Sequence, residues 1–195
     1  RLAHLAITSE LAVNERDYGY SFRIHGPRIV SGCCWLTKTH PPTLRKPSEG
    51  RTIAVVGDSY RFLATGDETD GKYTMFEANV APGGGPPPHI HSREEESFLI
   101  LEGEITFTVD GERIVATAGT FANMPVGSLH SFKNATDKTA RMIISVAPAG
   151  LEKMFFEVGV PLKLGDTPPP PSKVEIEKLL AVAPNYGVEI SVPGH

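Results

Sequence analysis

The sequence predicts an all-β domain closed by helices at its C-terminal end, and three observations carry that expectation. Turn-forming residues are abundant, with 19 Gly and 17 Pro among 195 residues. From residue 52 onward, short runs rich in β-branched and aromatic residues alternate with Gly, Asp and Pro, the pattern of many short strands joined by tight turns. Within that region Asp110-Gly111 sits between two such runs and marks a two-residue hairpin.

The chain starts at Arg1, and residues 1–50 carry 7 Lys/Arg against 4 Asp/Glu, a net of +3. They show no sustained period beyond a possible short helix over 2–13, and 41–48, PPTLRKPS, reads as an extended linker. Residues 51–195 carry 12 Lys/Arg and 19 Asp/Glu, a net of −7. The expected organisation is therefore an N-terminal extension over 1–50, a β-barrel over 51–150 and a helical segment over 151–195 packed on the barrel.

Strands are expected at 52–56, 60–64 and 73–80. The hairpin then joins 105–109 to 113–117, in a register that faces Phe107 with Ile114 and Ile105 with Ala116. That register makes one face apolar and gives the other to Thr106, Thr108 and Arg113. Further strands follow at 120–124, 129–133 and 139–146. Leu151, Met154, Phe155 and Val158 then fall at helical spacing. After the stiff spacer at 168–171, Ser172-Lys173-Val174-Glu175 forms a capping box for a second helix with an apolar stripe of Ile176, Leu179, Leu180 and Ala183.

The composition excludes several function classes. A net charge of −4 and a pI near 6.0 argue against nucleic acid as a partner. No apolar run approaches the about 20 residues of a membrane-spanning helix. With no basic segment leading into an apolar core, a secretory signal is unsupported and the expected location is the cytoplasm. The two cysteines, Cys33 and Cys34, rule out a disulfide scaffold or a cysteine-ligated zinc module. The stretch TIAVVGDS at 52–59 resembles the nucleophile block of GDSL-type hydrolases, but no later Asp-x-x-His follows to supply the base. His4, His25, His40 and His195 have no partners at ligand spacing.

The chemistry concentrates in two stretches. In residues 83–103, GGGPPPHIHSREEESFLILEG, His89 and His91 are two apart and share a strand face, a natural metal-binding pair. The competing reading is a solvated His-rich turn followed by an acidic run. Of the three consecutive glutamates, Glu96 shares a face with Phe98 and Ile100, whereas Glu95 points away from them. In residues 119–134, GTFANMPVGSLHSFKN, His130 shares a strand face with Phe132 and Asn134 after a Pro-x-Gly turn.

Read together, residues 83–134 resemble the cupin superfamily. Gly83, His89, His91, Glu96 and Gly103 match its first motif without departure, and Gly119, Pro125, Gly127, His130 and Asn134 match its second. The 15 residues between the motifs are typical of single-domain cupins. The resemblance covers roughly residues 51–150. It implies a cupin double-stranded β-helix, or jelly-roll barrel, with a single divalent Mn, Fe, Co, Ni, Cu or Zn ion on His89, His91, Glu96 and His130. It also implies that Gly127 permits the turn before His130 and that Asn134 fixes the turn after it.

The C-terminal part resembles quercetin-dioxygenase-like cupins. That likeness implies a dioxygenase acting on an aromatic or enolic small molecule, with Glu96 accepting the substrate's hydroxyl proton. Phe76, Phe98, Phe132 and Met142 are candidates for the wall of a substrate pocket, with plain core packing as the other reading for each. The alternatives are a metal-dependent isomerase or decarboxylase, or a non-catalytic ligand-binding cupin. Finally, the strand over 97–101 is apolar on both faces, with Phe98 and Ile100 inward and Leu99 and Leu101 outward. A partner barrel, giving a homodimer, or the terminal segments must cover the outer face.

Overall fold

The structure is a computed structural model that describes residues 41–163 and 165–191. The expectations for residues 1–40 and for His195, including the helix over 2–13 and the paired cysteines, lie outside the described residues.

Ten strands build the barrel: β1 Thr52–Val55, β2 Asp58–Ala64, β3 Thr74–Val80, β4 His89–His91, β5 Glu95–Glu102, β6 Glu104–Val109, β7 Glu112–Thr117, β8 Phe121–Met124, β9 His130–Lys133 and β10 Ala140–Ala147. After them come helix α1 Leu151–Val158, the short β11 Val160–Pro161, helix α2 Lys173–Val182 and β12 Val188–Ile190. Two antiparallel sheets result, in the orders β11-β1-β2-β3-β10-β5-β8 and β12-β4-β9-β6-β7. Strict alternation explains why the sheets face each other. On β3 and on β10 every second residue is buried, and Phe76, Ala78, Met142 and Ile144 from those strands join Phe98, Ile100, Ile105, Phe107 and Phe132 in one core.

The Asp110-Gly111 hairpin forms in the expected register, Phe107 opposite Ile114 and Ile105 opposite Ala116. Its two strands differ in burial, however. Phe107 is 1% exposed while Ile114 is 50% exposed. The reason is position: β7 is the edge strand of its sheet, so pairing with a core residue does not bring Ile114 under cover.

The C-terminal segment is more than helices laid on a barrel. Ser172 caps α2 through a 3.1 Å hydrogen bond from the Glu175 amide, the first half of the expected capping box, while the Glu175 carboxylate accepts from the Val56 amide instead of closing it. Beyond α2 the chain turns at Gly187 and returns as β12, which pairs with β4 and places Val188 opposite His91 and Ile190 opposite His89. Sequence reading missed both β11 and β12. Segments of two and three residues are too short to show a period, and only pairing with β1 and β4 makes them strands. Among the described residues no helix is long and apolar enough to cross a membrane.

Candidate metal centre

Local structure explains how the site residues come together. The alternation of β4 buries His89 and His91 on either side of an intermediate Ile90. On β5 the same alternation buries Glu96, Phe98 and Ile100. β9 buries His130 and Phe132, and antiparallel pairing sets His130 directly opposite His89. Gly127 precedes β9 with φ 84°, a left-handed conformation that a side chain would strain. At the far end of β9, Asn134 is fully buried. Its amide donates to the carbonyls of Val80 and Lys138 at 2.9 and 2.7 Å, and its oxygen accepts from the Thr136 amide at 3.0 Å, which fixes the following turn.

The four residues converge. Their ligand atoms all lie within 4.8 Å of one another, and all four side chains are buried. Glu96 Oε2 is 3.1 Å from His130 Nε2, 3.2 Å from His91 Nε2 and 4.0 Å from His89 Nε2. Neighbouring ligands about 2.1 Å from one ion stand about 3.0 Å apart, so these spacings leave room for a transition-metal ion with little movement. The electrostatics also fit a cation. His130 has acceptors at both ring nitrogens, the Ser128 carbonyl at 3.1 Å and Glu96 at 3.1 Å, so its imidazolium form places a proton where a metal would sit. Among the described residues, His91 Nε2 has no hydrogen-bond partner, although it is buried. An orphaned nitrogen beside a carboxylate and two further imidazoles is a donor set without its acceptor. Three imidazoles and one carboxylate suit a borderline divalent ion.

The same neighbours shift the protonation equilibria. Burial pushes the Glu96 carboxyl up, but the hydrogen bond from His130 and the close His91 and His89 rings outweigh it and hold the group far below the usual range. Burial lowers His89 to about 4, only partly offset by Glu96. Burial also opposes the charged form of His130, yet the hydrogen bond and charge of Glu96 raise it overall.

Beside the four candidate ligands lies a cavity in which the centre of a water molecule can explore about 90 Å³. That is space for several waters or one small ring system. His89, His91 and Glu96 line it, as do Tyr60 and Asp58. The structure divides the four candidates for a substrate wall. Phe76 and Phe132 line the cavity. Phe98 and Met142, 1% and 0% exposed, do not belong to its lining and pack in the core, Phe98 with its ring 5.0 Å from Phe107 and 5.7 Å from Phe132. Core packing is thus the reading that fits those two residues. Phe98 stands two residues along β5 from Glu96, and Met142 pairs with Ile100, two further still.

Sequence reading missed what closes the cavity. Leu151, Met154 and Phe155 of α1, Leu179 of α2, and Val188 and Ile190 of β12 all line it. The apolar stripe of α1 was legible, but nothing in it distinguishes covering a cavity from covering a core.

Asp58 is 3% exposed, accepts a 3.0 Å hydrogen bond from the Ala81 amide, and is raised by burial from 3.8 to about 6. Because the folded value exceeds the unfolded one, its stabilising contribution is complete below about 3.8 and is lost as pH rises through about 6. The expected result is that Asp58→Asn, whose amide oxygen can still accept from Ala81, gains roughly 2–3 kcal/mol relative to the parent between pH 4 and pH 7. Urea unfolding of both proteins across that range measures the difference, and a flat difference contradicts it.

Comparison with known proteins places these observations in context. Residues 76–146 match the cupin domain family. The chain is 26% identical over 134 residues to quercetin 2,3-dioxygenase of Bacillus subtilis (strain 168), an alignment covering 69% of this chain and 40% of that protein. It is 32% identical over 111 residues to oxalate oxidase GF-2.8 of Triticum aestivum, covering 52% and 47%. The chain thus spans about half or less of the length of these curated relatives. Among solved structures, an RmlC-like cupin from Shewanella frigidimarina superimposes with a TM-score of 0.51 at 19% identity, over 58% of this chain and 96% of that one, a likeness of fold.

Proposed function

This chain is a member of the cupin superfamily, and from that premise we propose that it is a metal-dependent dioxygenase acting on an aromatic or enolic small molecule. The observation that carries the proposal is the convergence of His89, His91, Glu96 and His130 beside a largely apolar cavity that the first three of them line. A divalent ion held there would supply Lewis acidity, lowering the pKa of a hydroxyl brought against it. Phe76 and Phe132 would hold a flat, apolar body by shape, and the enclosing α1, α2 and β12 would keep bulk water from the anion formed. Glu96 Oε2, which faces all three imidazoles, would accept the substrate's hydroxyl proton.

The similarity to quercetin 2,3-dioxygenase favours a flavonol-like enol. The similarity to an oxalate oxidase keeps a small carboxylic acid, and with it a decarboxylase, as the second reading. Metal analysis followed by oxygen uptake tests the two. Oxygen consumption with an enolic or flavonol compound and a bound Mn, Fe, Co, Ni or Cu ion supports the first reading. Turnover of a substrate without oxygen supports an isomerase or decarboxylase, and turnover of neither kind supports a ligand-binding barrel.

The homodimer belongs to the same proposal. On the outer face of the large sheet, Ile143, Leu99 and Phe121 lie side by side across β10, β5 and β8. Leu99 is 40% and Phe121 65% exposed. An apolar row of this kind at the sheet surface supports pairing with a second copy. The expected result is a dimeric mass in solution at micromolar concentration, and a monomeric mass at that concentration overturns it.

A further inference from the structure

Each ligating histidine has a second ring nitrogen, and its partner fixes which nitrogen is free for a metal. His89 Nδ1 meets the Pro87 carbonyl at 2.9 Å, and His130 Nδ1 meets the Ser128 carbonyl at 3.1 Å. In both cases the acceptor is the backbone two residues upstream, and Nε2 points into the site. His91 breaks the rule. The residue two positions upstream is His89, and His91 Nδ1 is buried with no hydrogen-bond partner among the described residues. Glu94 Oε2 lies 3.9 Å away, and it too is buried and without a hydrogen-bond partner among the described residues.

Glu94 is an unusual residue to find here. The run Glu94-Glu95-Glu96 reads as a solvated acidic turn, yet Glu94 is only 1% exposed. Its other oxygen, Oε1, pairs with Arg93 Nη2 at 3.0 Å. That guanidinium also donates to the Tyr186 carbonyl at 2.6 Å, while Ser92 donates through both its hydroxyl and its amide to the Gly187 carbonyl at 2.9 Å. The returning C-terminal segment therefore clamps the turn that carries Glu94. A buried carboxylate oxygen without a donor and a buried ring nitrogen without an acceptor, about one ångström beyond hydrogen-bond distance, are complementary vacancies.

We infer that Glu94 is a positioning residue for the metal centre: its Oε2 accepts the Nδ1 proton of His91 and so presents His91 Nε2, as a lone pair, to the ion. The inference rests on the reading of His89, His91, Glu96 and His130 as a metal site, and it is independent of which reaction the site performs. It completes a pattern in which two backbone carbonyls and one carboxylate set all three rings in the same tautomer. The carboxylate adds basicity to His91 that the carbonyls do not give its neighbours.

The test uses Co²⁺ alone, titrated against a competing chelator, with no substrate. Glu94→Leu is expected to weaken Co²⁺ binding about 10- to 100-fold, the usual loss when an outer partner of a ligating histidine is removed. Glu94→Gln, whose amide oxygen can take the same proton, is expected to recover most of that loss. Metal-free Glu94→Leu should unfold at or above the wild-type temperature, since an unpaired buried oxygen has been replaced by apolar volume. Glu95→Ala, at the exposed neighbour that pairs with Asn123, should bind as wild type does.

Co²⁺ binding by Glu94→Leu within about twofold of wild type, or a loss matched by an equal fall in metal-free stability, overturns the inference. If the leucine variant does not fold, long-range ¹H–¹⁵N correlation of His91 in the Zn²⁺-loaded wild type answers the same question. An Nδ1–H tautomer supports the assignment and an Nε2–H tautomer overturns it. Failure of the wild-type chain to bind any divalent ion would instead remove the metal site itself, which separates the two failures.

Discussion

Glu96→Gln, compared at equal metal loading, is expected to lower oxygen-dependent substrate turnover by about 10²-fold or more, the usual scale for a lost general base. Two properties of Glu96 make it the group to change. It is the carboxylate that all three imidazoles face, at 3.1, 3.2 and 4.0 Å from a single oxygen, and it lines the cavity. It is also held ionised: despite burial, the hydrogen bond from His130 and the charges of the histidines keep its pKa far below the ordinary value. So depressed a carboxylate is a poor base toward a free hydroxyl. It becomes adequate only toward a hydroxyl acidified by a cation in the same site, so the proton acceptor and the ligand set act as one unit. Gln keeps the volume and one ligand oxygen but cannot take a proton. The variant should therefore retain part of its metal while losing turnover, and turnover at the wild-type rate would show that the proton goes elsewhere.

Much of this site was legible in the sequence, and the reasons are physical. His89, His91, Glu96 and His130 lie on strands, where a period of two fixes which side chains share a face. The Pro125–Gly127 turn and the Asp110-Gly111 hairpin then fix how those strands are joined. What could not be read depends on contacts distant in the chain. Glu94 and Glu95 are chemically identical neighbours, yet one is fully buried behind His91 and the other exposed, because Arg93 is held by Tyr186, 93 residues away. Likewise Phe98 and Phe132 are both inward-facing aromatics, but only Phe132 lines the cavity, because the two strands belong to different sheets whose packing no local pattern records. The strand β12 is invisible in isolation and exists through its pairing with the very strand that carries two of the histidines.

His130→Ala separates ligand from scaffold, and its expected effect on metal binding is the largest of any single change away from Glu96. Removal of a ligating imidazole should cost more than the about 100-fold that loss of an outer partner can cost. The metal-free protein should suffer as well. There His130 and Glu96 form a buried pair at 3.1 Å, with the histidine's charged form favoured by that carboxylate. Deleting His130 leaves the buried Glu96 charge with the His91 and His89 rings alone beside it, a change that costs up to about 3–5 kcal/mol. A second substitution distinguishes the two effects. In His130→Ala with Glu96→Gln the unpaired charge is gone, so metal-free stability should return most of the way toward wild type. Metal binding should not return, because two of the four ligands have been altered. Urea unfolding of the metal-free proteins and Co²⁺ titration of the same samples give both quantities. Full metal occupancy in His130→Ala would mean that the ion is held without β9, and the four-residue centre would have to be redrawn.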